Sequence, residues 1–493
     1  MQQRRSVPAI AFALTLLVLL PSPAPAAPDP SAGQPVDRVD PFIGTDGTGH
    51  TFPGPSRPFG MIQPGPDNAD NGWDYTSGYQ YRAPKIIGFS QNRASGTGIP
   101  ELGDLLLQPG TQRRPDMAST YAKASEVARP GYYAVTLADN GVRVELTSTL
   151  RSAWHRYTFA QGGRVWLLVD LQHGLTFRTD RQPVLAVANR FTRWGFTGQA
   201  QRRNWTTRHV AWAVRFDHPI AAVEPIPMRP GDRAPRYWLG FDLGADRQLQ
   251  ARIGLSTTDP AGARANRDEH AGWTFDAVVR DSAREWNSLL GRARITASAE
   301  QQRIFATALY HAFLHPSVIS DVDGRWRGPD QRIRRVRRGL RYSTLSLWDT
   351  FRAAQPLVTL LAPERVNDIV ATLVDHADAA GRAQELVVPV QLHDVGMAEG
   401  LALLAHRRPA GAALLGALLD DALDRLEQRH LLRLEPHVGP QLGEALVEPL
   451  AVLLDVLVVQ HLLVLRFAHL KDHSCRSRDR KALPTKTLSI PLQ

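Results

Sequence analysis

At 493 residues the chain has room for more than one domain and for a sizeable core. Its single cysteine, Cys475, excludes an intrachain disulfide framework. The net charge of +10 invites a nucleic-acid reading, but the excess is nearly all arginine and carries no nucleic-acid motif, so no nucleic acid is expected as a partner. The densest basic run, Arg332 to Arg341, reads as a solvated loop.

In chain order, residues 1–26 read as a signal peptide. Two arginines precede the apolar run Ala9 to Leu20, and small residues around Ala26 supply a cleavage site. That run is too short to span a bilayer, so a secreted, extracellular or periplasmic location with no membrane span is expected after cleavage. Residues 36–270 read as a β-sandwich domain. Tyr133, Val135 and Leu137 alternate with polar or small residues, as do Val142, Val144 and Leu146. Asp139-Asn140-Gly141 between them is a hairpin turn in which Asn and Gly tolerate positive φ. Further strands are expected at Val165 to Leu171, Val210 to Phe216, Tyr237 to Leu243 and Gln248 to Leu255.

The period then changes. Phe275, Val278, Val279, Ser282, Trp286, Leu289 and Leu290 share one face of a linking helix within residues 271–294, closed by Gly291. Ser298 with Gln301 makes a capping box that opens a helix with Phe305, Ala308, Leu309, Ala312 and Phe313 inward. Pro316 stops it, and a third helix begins near Pro363. Residues 295–382 thus start a helical domain, and the chain is an α+β, multidomain protein. The unit from Val36 to about Arg292 is expected to fold without the residues downstream of it.

Residues 383–493 are different again. No tryptophan lies beyond Trp348 and no tyrosine beyond Tyr342, while about a quarter of residues from Ala383 are leucine, far above ordinary usage. This tail reads either as translation in another frame or as an unrelated fused segment.

Gly- and Pro-rich loops carry the chemistry. Val39-Asp40-Pro41-Phe42-Ile43-Gly44-Thr45 is followed by Gly49-His50-Thr51-Phe52-Pro53-Gly54-Pro55, Gly72-Trp73-Asp74-Tyr75, and Ser95-Gly96-Thr97-Gly98 leading to Gly103-Asp104. Such loops suit sugars, because an aromatic face covers the C–H face of a pyranose while carboxylates and amides take its hydroxyls. Thr307-Ala308-Leu309-Tyr310-His311, Ser320-Asp321-Val322-Asp323-Gly324 and Tyr342-Ser343-Thr344-Leu345-Ser346-Leu347-Trp348-Asp349-Thr350 come after them.

These blocks, in this order over about residues 36–382, resemble glycoside hydrolase family 92. The resemblance implies a β-sandwich, a linking helix and an (α/α)6 barrel, of which residues 295–382 would be a truncated start. It implies an exo-α-mannosidase, commonly α-1,2-specific, inverting and calcium-dependent, acting on mannose-containing glycans or glycoproteins. It also implies substrate-binding roles for His50, Trp73, Asp74 and Asp349. Two departures stand out. Gly88-Phe89-Ser90-Gln91-Asn92-Arg93 replaces the family's Gly-Phe-Ser-His-Thr-His, which puts imidazole contacts and linkage preference in question. The motifs holding the catalytic acid, the catalytic base and the calcium ligands are not found after Arg382, and Glu385, Asp394 and Glu399 lack their surroundings. No catalytic residue or metal ligand is therefore assigned, and the chain as written is expected to be inactive. A carbohydrate-binding protein without turnover and a truncated gene product are the alternatives. Asp321-Val322-Asp323-Gly324 opens like an EF-hand loop, but Arg332 stands where the closing glutamate belongs, so a turn is expected there.

Overall fold

The computed structural model describes residues 33–380, apart from 69–71, 115–116, 177–183, 205–206, 337 and 352. The signal peptide and the leucine-rich tail lie outside the described residues.

Two antiparallel sheets are built from the alternating segments. One has six strands, in spatial order Gly65–Asp67, Gly88–Ser90, Leu106–Gly110, Arg164–Asp170, Arg236–Asp242 and Ile220–Ile226. The other has eight: Val184–Thr192, Gly195–Arg203, Thr207–Phe216, Gln248–Ser256, Ser152–Thr158, Arg143–Ser148, Tyr132–Thr136 and Val127–Arg129. Because side chains alternate across a strand, one set from each sheet meets in a common core. Val165, Leu167 and Val169 come from the first sheet and Trp212, Val214 and Ile253 from the second. In the Asp139-Asn140-Gly141 turn only Gly141 is left-handed (φ 68°); Asn140 acts instead through its side chain, whose Oδ1 accepts the Val142 N–H.

A helix absent from the sequence reading, α1 (Pro260–Asp268), lies on the outer face of the eight-stranded sheet. Its signals are present: the Asp259 side chain caps the Gly262 N–H, and Pro260 opens the first turn. The helix approaches closely through Ala211, Ala213 and Ala263. Any Cβ at Gly254 would sit 2.1 Å from the Ala263 carbonyl oxygen, so only glycine fits there.

The linking helix is α2 (Phe275–Leu290), capped by Thr274 and ended by Gly291. It buries Phe275, Val278, Ser282, Trp286, Leu289 and Leu290, as the 3.6-residue period requires. The capping box of Ser298 and Gln301 opens α3 (Ala299–Ala312). Of the face expected inward, Leu309 and Phe313 are buried, Phe305 packs against the same core, Ala312 is half-buried and Ala308 is exposed, while Ala306, Thr307 and Tyr310 are buried in addition. The Tyr310 ring packs on Trp286 at 4.5 Å, and Thr307 Oγ1 accepts the Asp40 N–H at 2.9 Å, which fixes the rotation. Three further helices complete the described chain: α4 (Leu347–Thr350), α5 (Ala354–Leu361) and α6 (Pro363–Ala380). The basic run is not an irregular loop. Ile333–Arg335 pairs with Arg325–Arg327 as a small hairpin, Arg334 pairs with Asp330, and Arg341 pairs with Asp375.

A second apolar core joins the two layers. Phe52 and Phe59 from the N-terminal loops pack with Trp286, Tyr310, Phe313, Tyr342 and Ile369. Arg57, 4% exposed, locks the same loop to α2 through Asp281 and Glu285, each at 2.7 Å.

Candidate sugar site at the sheet-to-helix junction

Three of the four candidate residues come together on the sandwich side. The loop from Gly44 to Thr51 closes on itself when the Thr51 N–H donates to the Gly44 carbonyl. This presents His50 in a left-handed conformation (φ 57°), a strain of about 1–3 kcal/mol that the surroundings must hold. Trp73 opens a single 3₁₀ turn, Trp73–Tyr75, and stands 53% exposed. The His50 ring meets the Trp73 ring edge to face, centroids 4.9 Å apart. The Ser95–Gly98 loop completes the corner. The Gly96 N–H donates to the His50 carbonyl at 2.7 Å, and a Cβ on Gly98 would lie 3.0 Å from the Trp73 ring.

Burial lowers the pKa of His50, while Asp74 and the Trp73 backbone pull it upward less strongly, so the ring is neutral at pH 7. Its Nε2 is buried without a hydrogen-bond partner among the described residues. The exposed indole is a surface that can take the C–H face of a sugar, with the neutral imidazole buried against it. Asp74 lies at the rim, 44% exposed in its side chain, with Arg82 at 3.6 Å; Arg82 also reaches Asp46 at 3.1 Å. The Asp74 carbonyl accepts from Gln80 Nε2, which ties the two loops together.

Asp349 is not part of this corner. It is exposed on α4, its carboxylate accepting the Ser346 hydroxyl. The site residues therefore form a trio on the sandwich and a single carboxylate on the helical side.

The Gln91-Asn92-Arg93 departure points inward. Arg93 is 1% exposed and donates to the carbonyls of Gln63, Gly65, Pro66, Ser77 and Ser90, with its guanidinium 4.9 Å over the Phe52 ring. Gln91 meets His155, and Asn92 donates to Asp104. Asp104 is itself buried between Arg202 and Arg208, whose charges hold its carboxyl below the usual range although burial opposes them. These side chains support the loops from beneath and form no part of a sugar-facing surface. Sequence reasoning missed that, because burial of an arginine has no signature in the chain order.

Among the described residues calcium finds no ligand set. No group of three or more His, Cys, Asp or Glu residues gathers among the described residues. The Asp321 carboxylate is already taken: it accepts from Ser256, Thr258 and Asn266, and burial raises its pKa. Asp323 and Asp259 both bind Arg325. Gly324 (φ 82°) closes a turn by donating to the Asp321 carbonyl, which is the turn expected for this stretch. The described residues do not fit the metal.

Comparison with known proteins identifies the relatives. The model of the glycosyl hydrolase family 92 N-terminal domain matches residues 38–256, and that of the family's catalytic domain matches residues 262–395. The second match runs on past Arg382, where the sequence reading placed the departure. The chain is similar to the family GH92 α-mannosidase BT3965 of Bacteroides thetaiotaomicron, at 32% identity and a TM-score of 0.66 over 70% of this chain and 50% of that one. It is similar to the GH92 glycosyl hydrolase ccman5, at 26% identity and a TM-score of 0.63 over 70% of this chain and 49% of that one. An uncharacterized secreted glycosidase of Arthroderma benhamiae is 26% identical over 342 residues, 60% of this chain and 44% of the relative. The chain thus spans about half the length of the proteins it matches. Two adjoining domain models and the solved α-mannosidases point the same way: the chain belongs to glycoside hydrolase family 92.

Proposed function

We propose that this is an exported glycosidase chain of the α-mannosidase type, and that His50, Trp73 and Asp74 are the sandwich's share of a mannose-binding site to which Asp349 contributes from the helical side. The observation that carries the reading is the His50–Trp73 corner, where an exposed indole stands against a neutral imidazole with a free, buried ring nitrogen. The BT3965 enzyme has been solved with mannoimidazole, which makes mannose the ring to test. Through the family the proposal takes α-1,2 preference, inversion and calcium dependence as the enzyme type, with residues 295–382 as a truncated start of an (α/α)6 barrel.

Inversion requires a carboxylic acid that protonates the leaving oxygen and a carboxylate that activates water, about 6.5–9.5 Å apart. In the proposed reading this chain binds mannose without turning it over, because the family motifs holding that pair have no counterpart after Arg382. Acid and base assistance each contribute about 10²–10⁴-fold, so their joint loss removes detectable hydrolysis. Purified chain incubated with α-1,2-mannobiose and calcium should release no mannose. Release that a chelator abolishes would overturn the inactivity, and it would place working carboxylates in this sequence.

A further inference from the structure

We infer that His315 is a positioning residue that holds the sugar-facing loops of the sandwich in register with the segment carrying Asp349. The sugar-facing role of those loops rests on the function proposed above; the coupling itself rests on geometry.

His315 lies between α3 and the short strand Ser317–Val318. On one side its Nε2 accepts the backbone N–H of Ser95 at 3.1 Å. The next amide, Gly96, donates to the His50 carbonyl, and Gly98 lies against the Trp73 ring. On the other side the His315 Nδ1 faces Ser317 Oγ at 2.9 Å and Thr344 Oγ1 at 3.1 Å. A backbone N–H can only donate, so Nε2 is unprotonated and the proton of the neutral ring sits on Nδ1. Nδ1–H then donates to the hydroxyls. The Thr344 hydroxyl can accept it, because its own hydrogen goes to the Ser343 carbonyl at 2.5 Å. It also accepts the Ser317 N–H at 3.1 Å.

The far end of the chain of bonds is equally well anchored. Ser317–Val318 pairs with Tyr342–Ser343. Thr344 is held at φ 55°, a conformation a β-branched residue adopts only when its surroundings impose it. Ser346, two residues on, donates to the Asp349 carboxylate. One imidazole thus links the loop that braces His50 and Trp73 to the loop that leads into α4. A side chain of equal volume without both nitrogens would fill the space and make neither bond.

A packing role is indifferent to where the ring proton sits, which makes the tautomer the decisive readout. The full chain, labelled with ¹⁵N-histidine, should show His315 as the Nδ1–H tautomer at pH 7, its signal assigned by loss in His315→Gln. Free imidazole favours the other tautomer, so an Nε2–H or a charged ring would overturn the proposal. Thr344→Val combined with Ser317→Ala removes both hydroxyl acceptors while touching neither Ser95 nor Gly96. Exchange of the Ser95–Gly98 amides, read by mass spectrometry, should become about tenfold faster in that variant. Unchanged exchange there would also overturn the coupling. Should His315→Gln or the double variant fail to fold, wild-type labelling with each remaining histidine replaced in turn still assigns the tautomer. Mannose titrated into wild type separates the two readings: no perturbation of the Ser95–Gly98 amides would sink the sugar site and leave the coupling standing.

Discussion

The sandwich and the helical layer bury their apolar residues in different ways. Between the two sheets the core is self-contained, drawing on strands from both sides and on nothing downstream of residue 256. The helical layer has no such independence. Its core takes Val39, Phe52 and Phe59 from loops that precede the first strand of either sheet. The helical layer also buries polar side-chain atoms, Tyr310 Oη, Trp326 Nε1 and His376 Nε2, without partners among the described residues. The loops carrying His50 and Trp73 therefore answer to two masters. Arg93 fixes them from the sandwich side, and the shared core with Arg57 fixes them from the helical side. A sugar corner placed at this seam reports on both layers.

The sharpest way to break the comparison is to damage the shared core. Trp286 is fully buried and its Nε1 donates to the Ser56 carbonyl at 2.8 Å. Trp286→Ala should cost about 3–5 kcal/mol, from lost burial, a cavity and an orphaned carbonyl. If the layers are as unequal as described, urea unfolding of this variant should separate into two transitions. The later one should keep the midpoint of the wild-type sandwich, and tryptophan emission together with far-ultraviolet circular dichroism would resolve them. A single transition lowered as a whole would mean that the sandwich depends on the helices as much as they depend on it.

Acid offers a second probe. Burial holds His311 and His315, both at the junction, down to about 4, and holds His155 in the sandwich down to about 3. A histidine whose folded pKa is depressed leaves stability intact above the unfolded value near 6.5. As pH falls below that value the unfolded chain takes up the proton first, and stability is lost until the folded pKa is reached. Each junction histidine should cost up to about 3 kcal/mol by pH 4. Equilibrium unfolding at pH 7, 5.5 and 4.5 should show that decline, and His311→Gln should flatten it. An equally steep decline in that variant would assign the acid sensitivity elsewhere.

Much of the sandwich was legible because strand alternation needs no distant partner: Tyr133, Val135 and Leu137 face the core as their spacing demands. The capping box and the Trp286 face were legible for the same local reason. What escaped was set by tertiary context. The nine-residue α1 is too short to build a periodic signal, and only its Asp259-Pro260 start marks it. The burial of Tyr310 on α3, outside the expected face, comes from its packing on Trp286. His315 gave no sign at all, since its meaning lies in Ser95 and Thr344, both far away in sequence.

The smallest stability effect belongs to the residue proposed to matter most for sugar. Trp73 is 53% exposed, its ring against that of His50 and close to the backbone at Gly98. A half-exposed ring contributes little to either core, so Trp73→Ala should change unfolding free energy by about 0.5 kcal/mol or less. Its effect on mannose should be out of proportion to that. The indole is the apolar face of the corner, and its loss should erase whatever mannose-induced shifts the wild type shows at Ser95–Gly98. Trp194, 40% exposed on the turn between two strands of the eight-stranded sheet, is the matched control. Trp194→Ala should leave both stability and mannose response unchanged, because it lies outside the seam. Equal loss of mannose response in the two variants would detach the sugar from this corner. A large stability loss in Trp73→Ala alone would show that the indole is part of the shared core after all.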